Sequence, residues 1–108
     1  MGTSQYFSSS YKTAREKFLK VARAADCNID SIQNPYPGPN GESLYMDVAL
    51  VVAEDAKRTL VVSSGTHGVE GFAGSGIQTG LLSEGISSRL PVGVNLLMIH
   101  AINPYGMD

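Results

Sequence analysis

The sequence predicts an α/β fold, a partial three-layer sandwich around a mixed sheet that combines an antiparallel hairpin with a parallel β-α-β unit. Two apolar, β-rich runs at 44–52 and 59–63 flank the polar turn 54–57, and this pattern predicts the hairpin. A helical stretch at 71–82 and an apolar run at 92–99 follow. A strand, a helix and a strand in this order close most simply as a right-handed crossover between parallel strands.

An amphipathic helix is predicted at 11–27, ahead of the sheet, because apolar residues recur there at helical spacing while lysines and arginines occupy the other face. The segment 34–41 holds three of the five prolines and predicts a loop. We therefore expect residues 1–108 to form a single incomplete domain, with 44–108 as the start of its sheet.

Composition excludes several classes of function. The net charge of -2 and the pI near 5.6 provide no basic field for nucleic acid. A single cysteine, Cys27, allows neither an internal disulfide nor a thiolate zinc site, which favours a reducing, cytoplasmic location. No run is long and apolar enough for a signal peptide core or a membrane span. We expect no nucleic-acid partner and no membrane.

The loop Gly65–Gly71 carries the chemistry, because it follows a predicted strand directly and places His67 three residues before Glu70. Zinc binds imidazole nitrogen and carboxylate oxygen, and a catalytic zinc site uses three protein ligands and one open position. The loop would supply two of the three ligands. In the alternative reading, His67 hydrogen-bonds the loop and Glu70 offsets the positive end of the following helix. The spacing alone leaves both readings open.

Other loop chemistries fit less well. A phosphate-binding P-loop needs a lysine, and 65–76 contains none. The glycines of this segment do not follow the dinucleotide-binding pattern G-x-G-x-x-G. A serine nucleophile elbow needs G-x-S-x-G, whereas Ser75 lies in the sequence Ala-Gly-Ser-Gly-Ile.

The Gly65–Gly71 loop, the helix, the apolar strand and the final turn Asn103–Gly106 together resemble the first part of the carboxypeptidase A-type zinc metallopeptidases. This superfamily includes succinylglutamate desuccinylase and aspartoacylase, and the likeness is greatest to an uncharacterised bacterial branch. It covers roughly 44–108 and implies a truncated zinc-carboxypeptidase-like fold. It also implies that His67 and Glu70 are the first two zinc ligands and that the turn shapes the floor of the site.

The resemblance places the remaining ligand, the substrate-binding residues and the general base after Asp108. We therefore expect the N-terminal part of a zinc-dependent hydrolase of amide bonds, acting on a small-molecule or peptide substrate such as an N-acyl amino acid. A catalytically inactive truncated module and a nucleotide- or phosphate-binding α/β module remain alternatives.

Two further expectations concern a third ligand and the assembly. His100 ends a predicted parallel strand near the same edge of the sheet, where it could be a third ligand or a structural residue. Open apolar sheet edges promote pairing with another chain. We therefore expect a homo-oligomer or a separately supplied C-terminal portion.

Overall fold

The computed structural model describes residues 2–108, which form one four-stranded sheet and a small set of helices. The strands are β1 (Asn28–Gln33), β2 (Tyr45–Val51), β3 (Arg58–Ser63) and β4 (Val94–His100), and the α-helices are α1 (Tyr11–Ala24), α2 (Gly71–Ser83) and α3 (Pro104–Met107). Single 3-10 turns cover Thr3–Tyr6 and Ile86–Ser88.

The sheet has the order β1-β2-β4-β3, with β4 antiparallel to β2 and parallel to β3. This confirms the predicted α/β class, the mixed sheet and the parallel crossover β3-α2-β4. The predicted hairpin of 44–52 with 59–63 is wrong, because β4 lies between these strands. β2 and β4 are mostly apolar, and they occupy the two central positions of the sheet.

The antiparallel partner on the outer side of β2 is β1, a strand that the sequence pattern did not predict. Its sequence, Asn-Ile-Asp-Ser-Ile-Gln, has only two apolar residues, and it is largely exposed as an edge strand. The proline-rich loop connects β1 to β2, so the chain does contain a hairpin, one strand earlier than predicted.

Helices α1 and α2 pack against one face of the sheet. Ser10 caps α1, since its Oγ accepts a hydrogen bond from the Thr13 amide at 3.2 Å. α1 ends at Ala24, three residues before the predicted boundary, and Asp26 then has a positive φ of 58°. The main core consists of Phe18, Leu19, Ala22, Ala49, Leu82, Leu96 and Met98. No helix of residues 2–108 has the length and apolar character needed to cross a bilayer.

The opposite face of the sheet is apolar but only half-buried. Val48, Leu50, Leu97 and Ile99 alternate with the core residues of β2 and β4, and Val61 of β3 is 53% exposed. The described residues thus form two layers of the predicted three-layer arrangement. Association with a second copy or with another polypeptide, which the sequence analysis expects at open sheet edges, stays a prediction.

The N-terminal segment packs on α2 through two glycines. A Cβ at Gly80 would lie 2.7 Å from Cδ2 of Tyr6, and a Cβ at Gly76 would overlap the ring of Phe7. The absence of side chains at these positions therefore allows the two aromatic rings to lie directly against the helix backbone.

We predict that Gly80→Ala lowers the free energy of unfolding by about 1–3 kcal/mol, because the added methyl group displaces Tyr6. In a chain lacking residues 2–7 the same substitution should stabilise by about 0.5–1 kcal/mol, since alanine is the better helix former. Urea denaturation of the parent and of Gly80→Ala, each with and without residues 2–7, measures both effects. The same sign in both backgrounds would contradict the packing described.

A buried polar group lies at the carboxyl end of β4. The imidazole of His100 is fully buried and stacks on Phe18, with ring centroids 4.6 Å apart. Its Nε2 is 2.8 Å from the Ser75 hydroxyl, and its Nδ1 has no hydrogen-bond partner among the described residues. Asp47 lies opposite on β2 and is held by Arg15 at 2.7 and 3.1 Å.

Burial lowers the pKa of His100 from 6.5 to about 4, against the opposing attraction of Asp47. The folded state therefore favours neutral imidazole, so its contribution to stability is complete above pH 6.5 and is lost as the pH falls toward 4. We predict that acidification across this range costs about 3 kcal/mol of unfolding free energy through His100. The same titration of His100→Gln should be flatter, and equal slopes for the two proteins would rule the effect out.

Candidate functional site

The loops that follow the parallel strands β3 and β4 meet at one edge of the sheet. The Ile102 amide donates to the carbonyl of Ser64 at 2.9 Å, and the Asn103 amide donates to that of Gly65 at 2.7 Å. Gly65 has a φ of 68°, and a Cβ there would lie 3.1 Å from the Cα of Ala101. The two loops can therefore approach this closely only because residue 65 is glycine.

The first loop brings His67 and Glu70 together, as the sequence predicted that it could. Nδ1 of His67 is 3.3 Å from Oε1 of Glu70, and the two side chains are 88% and 51% exposed. The carboxylate also accepts backbone hydrogen bonds, from the His67 amide at 2.6 Å to Oε1 and from the Gly68 amide at 3.0 Å to Oε1 and 2.9 Å to Oε2.

These backbone hydrogen bonds, that of Gly68 first, lower the pKa of Glu70 below its ordinary value. The carboxylate is therefore ionised at neutral pH. It also organises the loop, because two amides that precede α2 point at one side chain. In the alternative interpretation Glu70 offsets the positive end of the following helix, and the amides that donate to it are ones that precede α2.

The second loop supports the first through Asn103. Its Nδ2 donates to the carbonyl of His67 at 2.9 Å, and its Oδ1 accepts from the Gly106 amide at 3.0 Å at the start of α3. A Cβ at Gly106 would overlap the carbonyl of His67, so glycine is required for this contact as well. The turn Asn103–Gly106 therefore lies directly beside the His67 loop.

His67 and Glu70 supply the nitrogen and oxygen donors that zinc accepts. Oε1 of Glu70, which is 3.3 Å from Nδ1 of His67, already accepts two amide hydrogen bonds. Oε2 accepts one and is therefore the oxygen that keeps a lone pair for an ion. Among residues 2–108 no group of three or more His, Cys, Asp or Glu side chains is arranged to hold a metal. Among these residues His67 and Glu70 are thus two candidate ligands and not a complete metal shell.

His100 does not join this pair. It is fully buried beneath the loops, stacked on Phe18 and hydrogen-bonded to Ser75, which is the structural role considered for it. Cys27 lies before β1 and is partly buried, and burial raises the pKa of its thiol. Two side chains behind the loops, Ser64 and Gln78, form hydrogen bonds that support them, and the sequence did not predict this role. A glutamine in an apolar helix carries no sequence signal of such support.

The family of the chain follows from its sequence as a whole. Residues 7–108 match the model of the family described as protein of unknown function, DUF2817. This chain belongs to the DUF2817 family. No curated protein matches the sequence.

Solved structures of glutaminyl cyclases share the fold of this DUF2817 chain. The enzyme of Macrostomum lignano superposes with a TM-score of 0.58 at 14% identity, over 86% of this chain and 32% of that chain. The enzyme of Fimbriiglobus ruber gives 0.56 at 12% identity over 79% and 35%, and that of Porphyromonas gingivalis 0.50 at 13% over 87% and 45%. The chain thus spans about a third to just under half of their length. Such low identities show the fold alone.

These findings correct the expectation drawn from resemblance. The assignment to carboxypeptidase A-type metallopeptidases is wrong, because the family match is to DUF2817 and the structural neighbours are glutaminyl cyclases. The expectation of a zinc-dependent amide hydrolase is contradicted by the same neighbours. The loop with His67 and Glu70 after a parallel strand is not specific to one enzyme family, because one fold can serve several chemistries.

We predict that Asn103→Ala loosens the His67 loop, because it removes the side-chain hydrogen bond to the His67 carbonyl that joins the two loops. The variant also removes the bond from the Gly106 amide, which lies within the second loop. One bond of about 1 kcal/mol to the first loop should raise amide hydrogen exchange across 66–71 about fivefold. Asn95→Ala is the matched control, since Asn95 accepts from the Ala53 amide at the far end of β4. Equal exchange at 66–71 in both variants would contradict the role given to Asn103.

Proposed function

We propose that this DUF2817 chain forms the metal-binding edge of a glutaminyl-cyclase-like acyltransferase. The observation that carries the proposal is the exposed His67–Glu70 pair at the carboxyl edge of a parallel strand pair, in a fold that glutaminyl cyclases share. Ligands of open α/β sheets bind at this edge. Whole-protein activity belongs to the proposal, since the chain spans 32% to 45% of the compared structures.

The proposed reaction converts an N-terminal glutaminyl residue to pyroglutamate. The α-amine nitrogen forms a bond to the carbon of the side-chain carboxamide, the bond from that carbon to its own nitrogen breaks, and ammonia leaves. The nucleophile is an amine of the substrate itself, so the site must hold the amide carbonyl in place and keep water away from it. This requirement distinguishes the proposed reaction from hydrolysis.

The chain's own residues suit one part of this task. Glu70 is ionised and fixed by loop amides, and His67 is exposed beside it. We propose zinc as the ion that His67 and Glu70 hold, because it accepts nitrogen and oxygen ligands together. When bound, such an ion polarises the amide carbonyl. Further ligands would come from outside residues 2–108.

The test combines metal affinity with product identity, using this chain and any longer polypeptide that contains it. We predict that His67→Ala weakens zinc binding by more than about a hundredfold, beyond the loss typical of residues that only support a ligand. Glu84→Gln, at an exposed site beyond the end of α2, is the matched control and should bind zinc like the parent. Isothermal titration calorimetry measures both affinities.

Product identity then separates the chemistries. A peptide with N-terminal glutamine should lose one ammonia and become resistant to aminopeptidases, as mass spectrometry would detect. Formation of the glutamate peptide would indicate hydrolysis and contradict the proposed cyclase. Zinc binding unaffected by His67→Ala would contradict the proposed metal site.

A further inference from the structure

The side chain of Gln78 joins the carboxyl ends of the two parallel strands. It lies in α2, is 1% exposed, and donates from Nε2 to the carbonyl oxygens of Val62 at 2.9 Å and Ile99 at 3.0 Å. Its Oε1 accepts from the hydroxyl of Ser64 at 2.9 Å. This orientation of the amide is the one that matches two donors with two carbonyls and the acceptor with a hydroxyl.

Ser64 passes this constraint on to the second loop. Its Oγ donates to Gln78 and accepts from the Ala101 amide at 3.2 Å, all within the buried interior. Ala101 has a φ of 59°, an unfavourable conformation for a residue with a Cβ. It persists where surrounding contacts hold it, and the hydrogen bond from Ala101 to Ser64 is one such contact.

The turn at Ala101 directs the chain toward Asn103, which donates to the carbonyl of His67. A continuous series of hydrogen bonds and short backbone steps therefore runs from Gln78 through Ser64 to the loop of the exposed pair. A buried amide with all three of these bonds made is rigid, because breaking any one leaves a polar atom without a partner in the interior.

We propose that Gln78 is a positioning residue, which through Ser64 holds the loops 65–71 and 101–106 in the arrangement that brings His67 to Glu70. The part of this proposal that concerns zinc rests on the proposed function, whereas the part that concerns loop order does not. Gln78 makes its hydrogen bonds to Ser64 and the strand carbonyls and none to the exposed pair, so it would act through those contacts.

The variant Gln78→Met removes the three hydrogen bonds and keeps a side chain of similar length. The matched control is Ser75→Ala, which removes a buried hydrogen bond to the side chain of His100 from the same helix but keeps all three hydrogen bonds of Gln78. A second control, Thr79→Val, alters a buried hydroxyl that has no hydrogen-bond partner among the described residues. These controls separate loop positioning from a general loss of stability.

Amide hydrogen exchange is the first readout. Gln78→Met should raise exchange in both loops, 65–71 and 101–106, about tenfold or more, while Ser75→Ala and Thr79→Val leave the loops within about twofold of the parent. Equal loop exchange in Gln78→Met and in the two controls would overturn the proposal, whatever the chain binds.

Affinity for zinc alone is the second readout, measured by calorimetry on the same proteins. Gln78→Met should weaken binding about tenfold, as expected for a residue that supports a ligand indirectly, and the controls should not. A parent chain that binds no zinc would remove the proposed metal site and leave the exchange result to decide the positioning role.

If Gln78→Met fails to fold, Ser64→Ala replaces it. This variant keeps both bonds of Gln78 to the strand carbonyls and removes the two bonds of the Ser64 hydroxyl, to Gln78 and to the Ala101 amide. It should raise exchange at 101–106 more than at 65–71, and unchanged exchange at 101–106 would overturn the proposal.

Discussion

The parallel pairing of β3 with β4 is the constraint on which the rest of the molecule depends. It sets the carboxyl ends of two strands side by side, so the two loops that leave them must share one small region. Gly65 permits the close approach, and the amides of Ile102 and Asn103 extend the pairing beyond the strands. The exposed pair and the turn that supports it both follow from this arrangement.

Some elements of the fold could be predicted from the sequence and others could not. The parallel crossover was predictable, because the apolar runs of β3 and β4 flank a helical stretch of suitable length. The order of the sheet was not, since β2 and β3 are adjacent in sequence and a polar turn joins them. The structure instead inserts the apolar β4 between β2 and β3, a pairing between segments far apart in sequence. β1 is too polar to be recognised from its own pattern.

The candidate site likewise contains residues that could be predicted from the sequence and residues that could not. His67 and Glu70 were identifiable because their side-chain chemistry and spacing are visible in the sequence, and the structure places them 3.3 Å apart. The side chains that support their loop were harder to find, because Gln78 and Ser64 act through contacts between elements far apart in sequence. The enzyme class was assigned wrongly from the loop motif. Two possible metal ligands do not determine the reaction, which depends on the other residues of the site.

The most direct test of the account is the state of the His67 ring nitrogens in the presence of zinc. A long-range proton–nitrogen NMR spectrum of the isotope-labelled chain, recorded with and without one equivalent of zinc, reports on each nitrogen separately. The account predicts that one ring nitrogen of His67 shifts to a metal-bound position while the buried His100 remains unchanged. Unshifted His67 nitrogens, or a shift at His100 instead, would contradict it.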